Sequence, residues 1–120
     1  MEQVDISVKN QDINNGSVFR VDKFVVPAAA REEILARVRM THELLRQQQG
    51  FVQDFLLEQF SGPGEFNLVT IVEWESQAAV DKVVPIVKAV HERIAFNPQE
   101  TIARLGVKAD IANYQRVPEL

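Results

Sequence analysis

Residues 67–84, "NLVTIVEWESQAAVDKVV", constrain the fold more than any other stretch of the chain. Leu68, Thr70, Val72 and Trp74 alternate with Val69 and Ile71, so a strand here carries apolar side chains on both faces. It runs without a linker into Ser76, whose hydroxyl can accept from a first-turn amide and so start a helix. Val80, Val83, Val84, Val87, His91 and Ile94 then recur at helical spacing and predict that helix's buried stripe. Pro85 lies inside it, which predicts a kink or a break, because the ring removes an amide donor and crowds the preceding turn.

The remaining elements follow from the same rules. "VFRVDKFVVP" (18–27) is rich in β-branched and aromatic residues and stops at Pro27, which predicts a strand. "AAAREEILARVRMTHELLRQQQG" (28–50) predicts a helix, with acidic residues in its first turn. Ile34, Leu35, Val38, Thr41, His42 and Leu45 form its stripe, and Gly50 stands where a C-terminal cap belongs. "FVQDFLLEQF" (51–60) and "FNLVTIVEWE" (66–75) predict a hairpin turned by "SGPGE". "NPQETIARLG" (97–106) predicts a short helix closed by Gly106, and "VKADIANYQRV" (107–117) a last strand. The order strand, helix, strand, strand, helix, strand predicts an α+β ferredoxin-like fold, an antiparallel sheet with its helices on one face. Since the helices cover only that face, the other apolar face predicts a homodimer.

At 120 residues the chain fits one domain. The expected division is a polar N-terminal tail or arm over 1–17, the domain over 18–117 and a C-terminal tail over 118–120. Val4, Ile6 and Val8 alternate with polar residues, which fits an edge strand, an arm on a partner or a disordered tail. The net charge of −4, with no Lys/Arg run, argues against nucleic acid as a partner. The absence of cysteine removes disulfides, thiolate nucleophiles and Cys-based metal sites. "MEQVDISVKNQ" shows no apolar signal region and no run is long enough to span a bilayer, so a soluble cytoplasmic protein is expected, with no membrane partner.

The "EWES" corner, the following "QAAVDKV" and the "QGFV" turn into the second strand, in this element order, resemble the antibiotic biosynthesis monooxygenase superfamily over roughly residues 18–117. The resemblance implies a dimeric α/β barrel with a ligand cleft between sheet and helices in each protomer. It also implies one of several activities: oxygenation of aromatic polyketides or quinols without metal or flavin, heme degradation, or none established. Heme-degrading members use an Asn on the first strand and a Trp and a His on the second helix. The matching positions here are Asp22, Val83 and, near residues 91–93, His91. One position of three is kept, so the expectation is no cofactor, with heme disfavoured, and no metal. Quinol-oxidising members often carry a His near Val83, and this chain has none there.

Among polar residues, His42 and His91 fall on the apolar stripes of their helices, and Arg20 and Asp22 share a strand face. Two imidazoles, a carboxylate and a guanidinium around one pocket suit binding and deprotonating an acidic phenol or enol, since imidazole titrates near neutral pH. The bland alternative is that each His bonds a backbone carbonyl. Trp74 and Tyr114 are read as pocket wall or packing, and Trp74 above all as a fold corner. The expected catalytic residues are His91 and Asp22, with Arg20, His42, Trp74, Val83 and Tyr114 binding a small planar aromatic or quinone-like ligand. The expected function is a cofactor-independent monooxygenase. The alternative is a non-catalytic small-molecule-binding or stress-associated dimer, which the apolar residues around Val83 favour.

Overall fold

A computed structural model describes residues 16–118. The reading of Val4, Ile6 and Val8 as a strand or arm falls on residues outside that range, as does most of the proposed 1–17 tail. Strand β1 (Val18–Val25) leads through a 3-10 turn at Ala28–Ala30 into helix α1 (Arg31–Arg46). Strands β2 (Phe51–Glu58) and β3 (Leu68–Trp74) follow, then helices α2 (Gln77–Arg93) and α3 (Pro98–Leu105), and strand β4 (Lys108–Gln115). The four strands form one antiparallel sheet in the order β2-β3-β1-β4, the ferredoxin-like arrangement expected from the sequence.

Two expectations about element ends need correction. Helix α1 stops at Arg46 with its cap at Gln47, so Gly50 is not its C-terminal cap. Gly50 instead has φ +91° and turns the chain into β2 against the start of α2. Helix α2 continues from Gln77 to Arg93 through Pro85 without a break. Pro85 and Asp81, whose carbonyl loses its donor, both lie on the exposed side, where water can satisfy that carbonyl. The Ser76 cap is present, its Oγ accepting from the Ala79 amide at 3.2 Å.

The β3 face formed by Leu68, Thr70, Val72 and Trp74 is buried beneath the helices. Two separate apolar clusters fill that layer. One joins Phe24, Val26, Ile34, Leu35, Leu68 and Val107; the other joins Val72, Trp74, Ala79 and Val83. The opposite sheet face carries Phe19, Val21, Val69 and Ile71, with Phe55 and Leu57 about half exposed, and no helix among the described residues lies over it.

Asn67 lengthens the β1–β3 ladder by one step with its side chain. Its Oδ1 accepts from the Val26 amide at 2.8 Å and its Nδ2 donates to the Val26 carbonyl at 2.9 Å. Asn67→Ala would strand both groups, and a loss of about 2 kcal/mol is expected in urea unfolding.

Candidate functional site

A cavity of about 360 Å³ lies between the sheet and the helices, and residues of both apolar clusters line it. Cross-strand register lays its floor in two rows. Val72, Arg20 and Asn113 stand side by side, and next to them Thr70, Asp22 and Ile111, while Asp54 and Leu56 continue the two rows on β2 outside the lining. Helix α1 presents Arg37, Val38, Thr41, His42 and Leu45, and α2 presents Val80, Val83, Val84, Val87 and His91. Val84 and Ile111 line the cavity yet remain 55% and 47% exposed, so its mouth opens between α2 and β4. The walls are predominantly aliphatic, which suits a flat apolar molecule.

Six of the seven residues expected at a site meet at this cavity: Arg20, Asp22, His42, Trp74, Val83 and His91. Tyr114 does not. Asn113 and Ile111 face the cavity, and strand alternation therefore turns Tyr114 to the uncovered face, opposite Phe19 and with Lys23 Nζ 5.8 Å from its ring.

Asp22 is held by Arg20, whose Nε donates to Oδ1 at 2.6 Å. Trp74 is buried and meets the Phe51 ring edge-on at 5.9 Å between centroids. Glu75, next in the chain, donates its amide to the Gly50 carbonyl at 2.8 Å. The "QGFV" turn and the "EWES" corner thus touch, and Trp74 serves as corner and cavity wall at once.

The two histidines differ. His91 packs edge-on against Phe96, with centroids 5.0 Å apart, and its Nε2 is buried without a hydrogen-bond partner among the described residues. Burial lowers its pKa below the ordinary histidine value, which favours the neutral ring, and in its Nδ1–H tautomer Nε2 is an acceptor or metal donor. His42 has a carboxylate partner rather than a backbone carbonyl: its Nδ1 lies 3.0 Å from Asp54 Oδ2. Arg46 also binds Asp54, through Nε at 2.9 Å and Nη2 at 3.2 Å. Asp54, Arg46 and Arg37 were not among the residues expected from the sequence. Arg37 lines the cavity with its guanidinium carbon 4.6 Å from the Phe96 ring centroid.

No protein-family profile matches the chain, and no curated protein sequence matches it. Solved structures do. A protein of Deinococcus radiodurans, classed by inference as an antibiotic biosynthesis monooxygenase, aligns at TM-score 0.63 and 16% identity over 86% of this chain and 95% of its own. The heme degrader MhuD of Mycobacterium tuberculosis, with two hemes bound in its active site, aligns at 0.63 and 22% over 86% and 98%. A point variant of SnoaB, a cofactor-independent oxygenase of Streptomyces nogalater, aligns at 0.55 and 22% over 87% and 99%. At these identities the likeness establishes the fold alone, the ferredoxin-like α+β sheet that these proteins share with this chain.

The MhuD structure overturns the expectation of no cofactor with heme disfavoured, because a protein of this fold holds hemes in its active site. The residues present here fit such a group: the unpartnered, neutral His91 Nε2 on an aliphatic wall is the donor type that porphyrin iron takes. Val83 in place of the expected Trp therefore does not remove heme from consideration. Among the described residues no helix is long and apolar enough to cross a membrane.

Proposed function

We propose that this chain is a monooxygenase of the antibiotic-biosynthesis type that takes a flat aromatic molecule, a polycyclic phenol, quinol or porphyrin, into the cavity. The carrying observation is an aliphatic cavity of about 360 Å³ with one unpartnered imidazole nitrogen in its wall. A ligand lying between Val83 and Val87 on one side and the sheet on the other loses its water, and a neutral His91 is then the acceptor for its acidic hydrogen. Asp22, fixed by Arg20, offers a second acceptor on the sheet floor and orients the ring. Removal of the proton leaves an electron-rich phenolate or enolate, the species that reacts with O2. One oxygen atom enters the product and the other leaves as water, its two electrons and two hydrogens supplied by the substrate, which ends at the quinone level.

For a porphyrin, His91 is the residue that would hold the iron, and Arg37 and Arg20 are the cations available to its carboxylates. Bound iron porphyrin supplies a site for O2 binding and activation. The chain's own contribution is to hold the ring flat and exclude water.

A second copy covers the uncovered sheet face in this reading, through Phe19, Val21, Phe55, Leu57, Ile71 and Tyr114, because an exposed apolar patch of that extent marks an interaction surface. Native mass spectrometry is expected to give a dimer.

The test combines two titrations of that dimer. Oxygen uptake with 1,4-dihydroxynaphthalene should exceed the spontaneous rate, and hemin should develop a Soret band characteristic of imidazole ligation. Binding without substrate-dependent oxygen uptake would favour the other reading, a non-catalytic binding protein, for which the apolar Val83 speaks. Neither binding nor uptake would sink the proposal.

A further inference from the structure

We infer that His42 is a second proton-transfer residue of the cavity, with its tautomer fixed by Asp54 and Asp54 in turn held by Arg46. This rests on the cavity being the ligand site. An ionised carboxylate only accepts hydrogen bonds, so the 3.0 Å contact requires Nδ1 of His42 to carry the proton. In the neutral ring Nε2 is then the bare nitrogen, and His42 lines the cavity. Burial supports a working role. The side chains of His42 and Asp54 are 8% and 12% exposed, whereas Arg46 is 54% exposed. Placing an imidazole and a carboxylate inside an otherwise aliphatic layer costs desolvation free energy that an apolar pair would avoid. Arg46 alone already satisfies both Asp54 oxygens. The imidazole is the added part, and it belongs to a residue of the cavity lining.

The chemistry is a proton transfer. Nε2 of His42 takes the hydroxyl proton of a phenol or enol in the cavity, the O–H electron pair stays on the ligand as phenolate or enolate, and the imidazolium formed is bonded at Nδ1 to Asp54. In the reverse direction the same nitrogen returns the proton. His91, across the cavity on α2, has no carboxylate partner among the described residues, so the two imidazoles are suited to different tasks. The other charged groups that face His42 across the cavity are Arg20 and Asp22 on β1 and Arg37 on its own helix. Asp54 and Arg46 are positioning residues.

The chain has two histidines, which makes nitrogen-15 NMR of histidine-labelled full-length protein a two-site readout. His42 is expected as the Nδ1–H tautomer, with its Nε2 resonance moving when 2-naphthol is added. Movement of His91 alone overturns the role of His42 while leaving the cavity reading in place. Movement of neither ring removes both. In Asp54→Asn, whose amide oxygen can still accept from Arg46, the tautomer is expected to become mixed. The kcat for the quinol should fall about tenfold or more with KM within about threefold. A variant that melts earlier yet keeps wild-type kcat and the wild-type ligand-induced shift would make the network purely structural and overturn the inference.

Discussion

Gly50→Ala is expected to destabilise the fold by about 2–5 kcal/mol. At φ +91° an L-residue pays about 1–2 kcal/mol. A Cβ there would overlap the Ala79 Cβ on the first turn of α2, and forced overpacking of this kind adds about 1–3 kcal/mol. Relief by backbone shift is blocked, since the Gly50 carbonyl holds the Glu75 amide and the next residue, Phe51, lies against Trp74. Urea unfolding measures the loss. Adding Ala79→Gly should recover the overlap part but not the dihedral part, and Ser76→Ala, which removes only a helix cap, should cost about 1 kcal/mol. A Gly50→Ala loss below that of the cap variant would show the corner to be soft.

His91→Ala is expected to lower substrate-dependent oxygen uptake by about 100-fold or more, the usual size of a lost general base. It should also abolish the imidazole-type Soret band of added hemin. The pH dependence has a definite sign. Burial lowers the folded-state pKa of His91 below its unfolded value, so between those two values the unfolded chain binds more protons. His91 therefore leaves stability unaffected above the unfolded pKa and subtracts from it as pH falls through the folded pKa. The acid limb of kcat/KM should likewise have its midpoint below the ordinary histidine value near 6.5, and should vanish in His91→Gln. A limb at or above that value would assign the titration to another group.

The order of elements was legible because each strand and helix declares its own periodicity, and the β3 alternation named both sheet faces correctly. Cavity-lining residues on unbroken elements were legible for the same reason: Arg20 and Asp22 two apart on β1, and His42 and His91 on helical stripes. Asp54 was hidden by the irregular register between Phe51 and Gln53, which puts Phe51 and Asp54 on one face although their numbers differ by three. Tyr114 was misplaced because its facing depends on the register with β1, which local pattern does not carry. Val84 and Ile94 belong to the apolar stripe yet stay exposed, since nothing in a helix's own periodicity records that the layer beneath it is unfilled.

That unfilled layer ties folding to occupancy. The two apolar clusters do not merge, and no described side chain in the core is under 2% exposed, so whatever enters the cavity completes the packing between them. Each tenfold rise of free ligand above its Kd then adds about 1.4 kcal/mol to the unfolding free energy. The melting temperature becomes a meter of what the cell supplies to the cavity. Ranking small aromatic compounds by the upward shift they produce would find the natural one without any assumption about the reaction it undergoes.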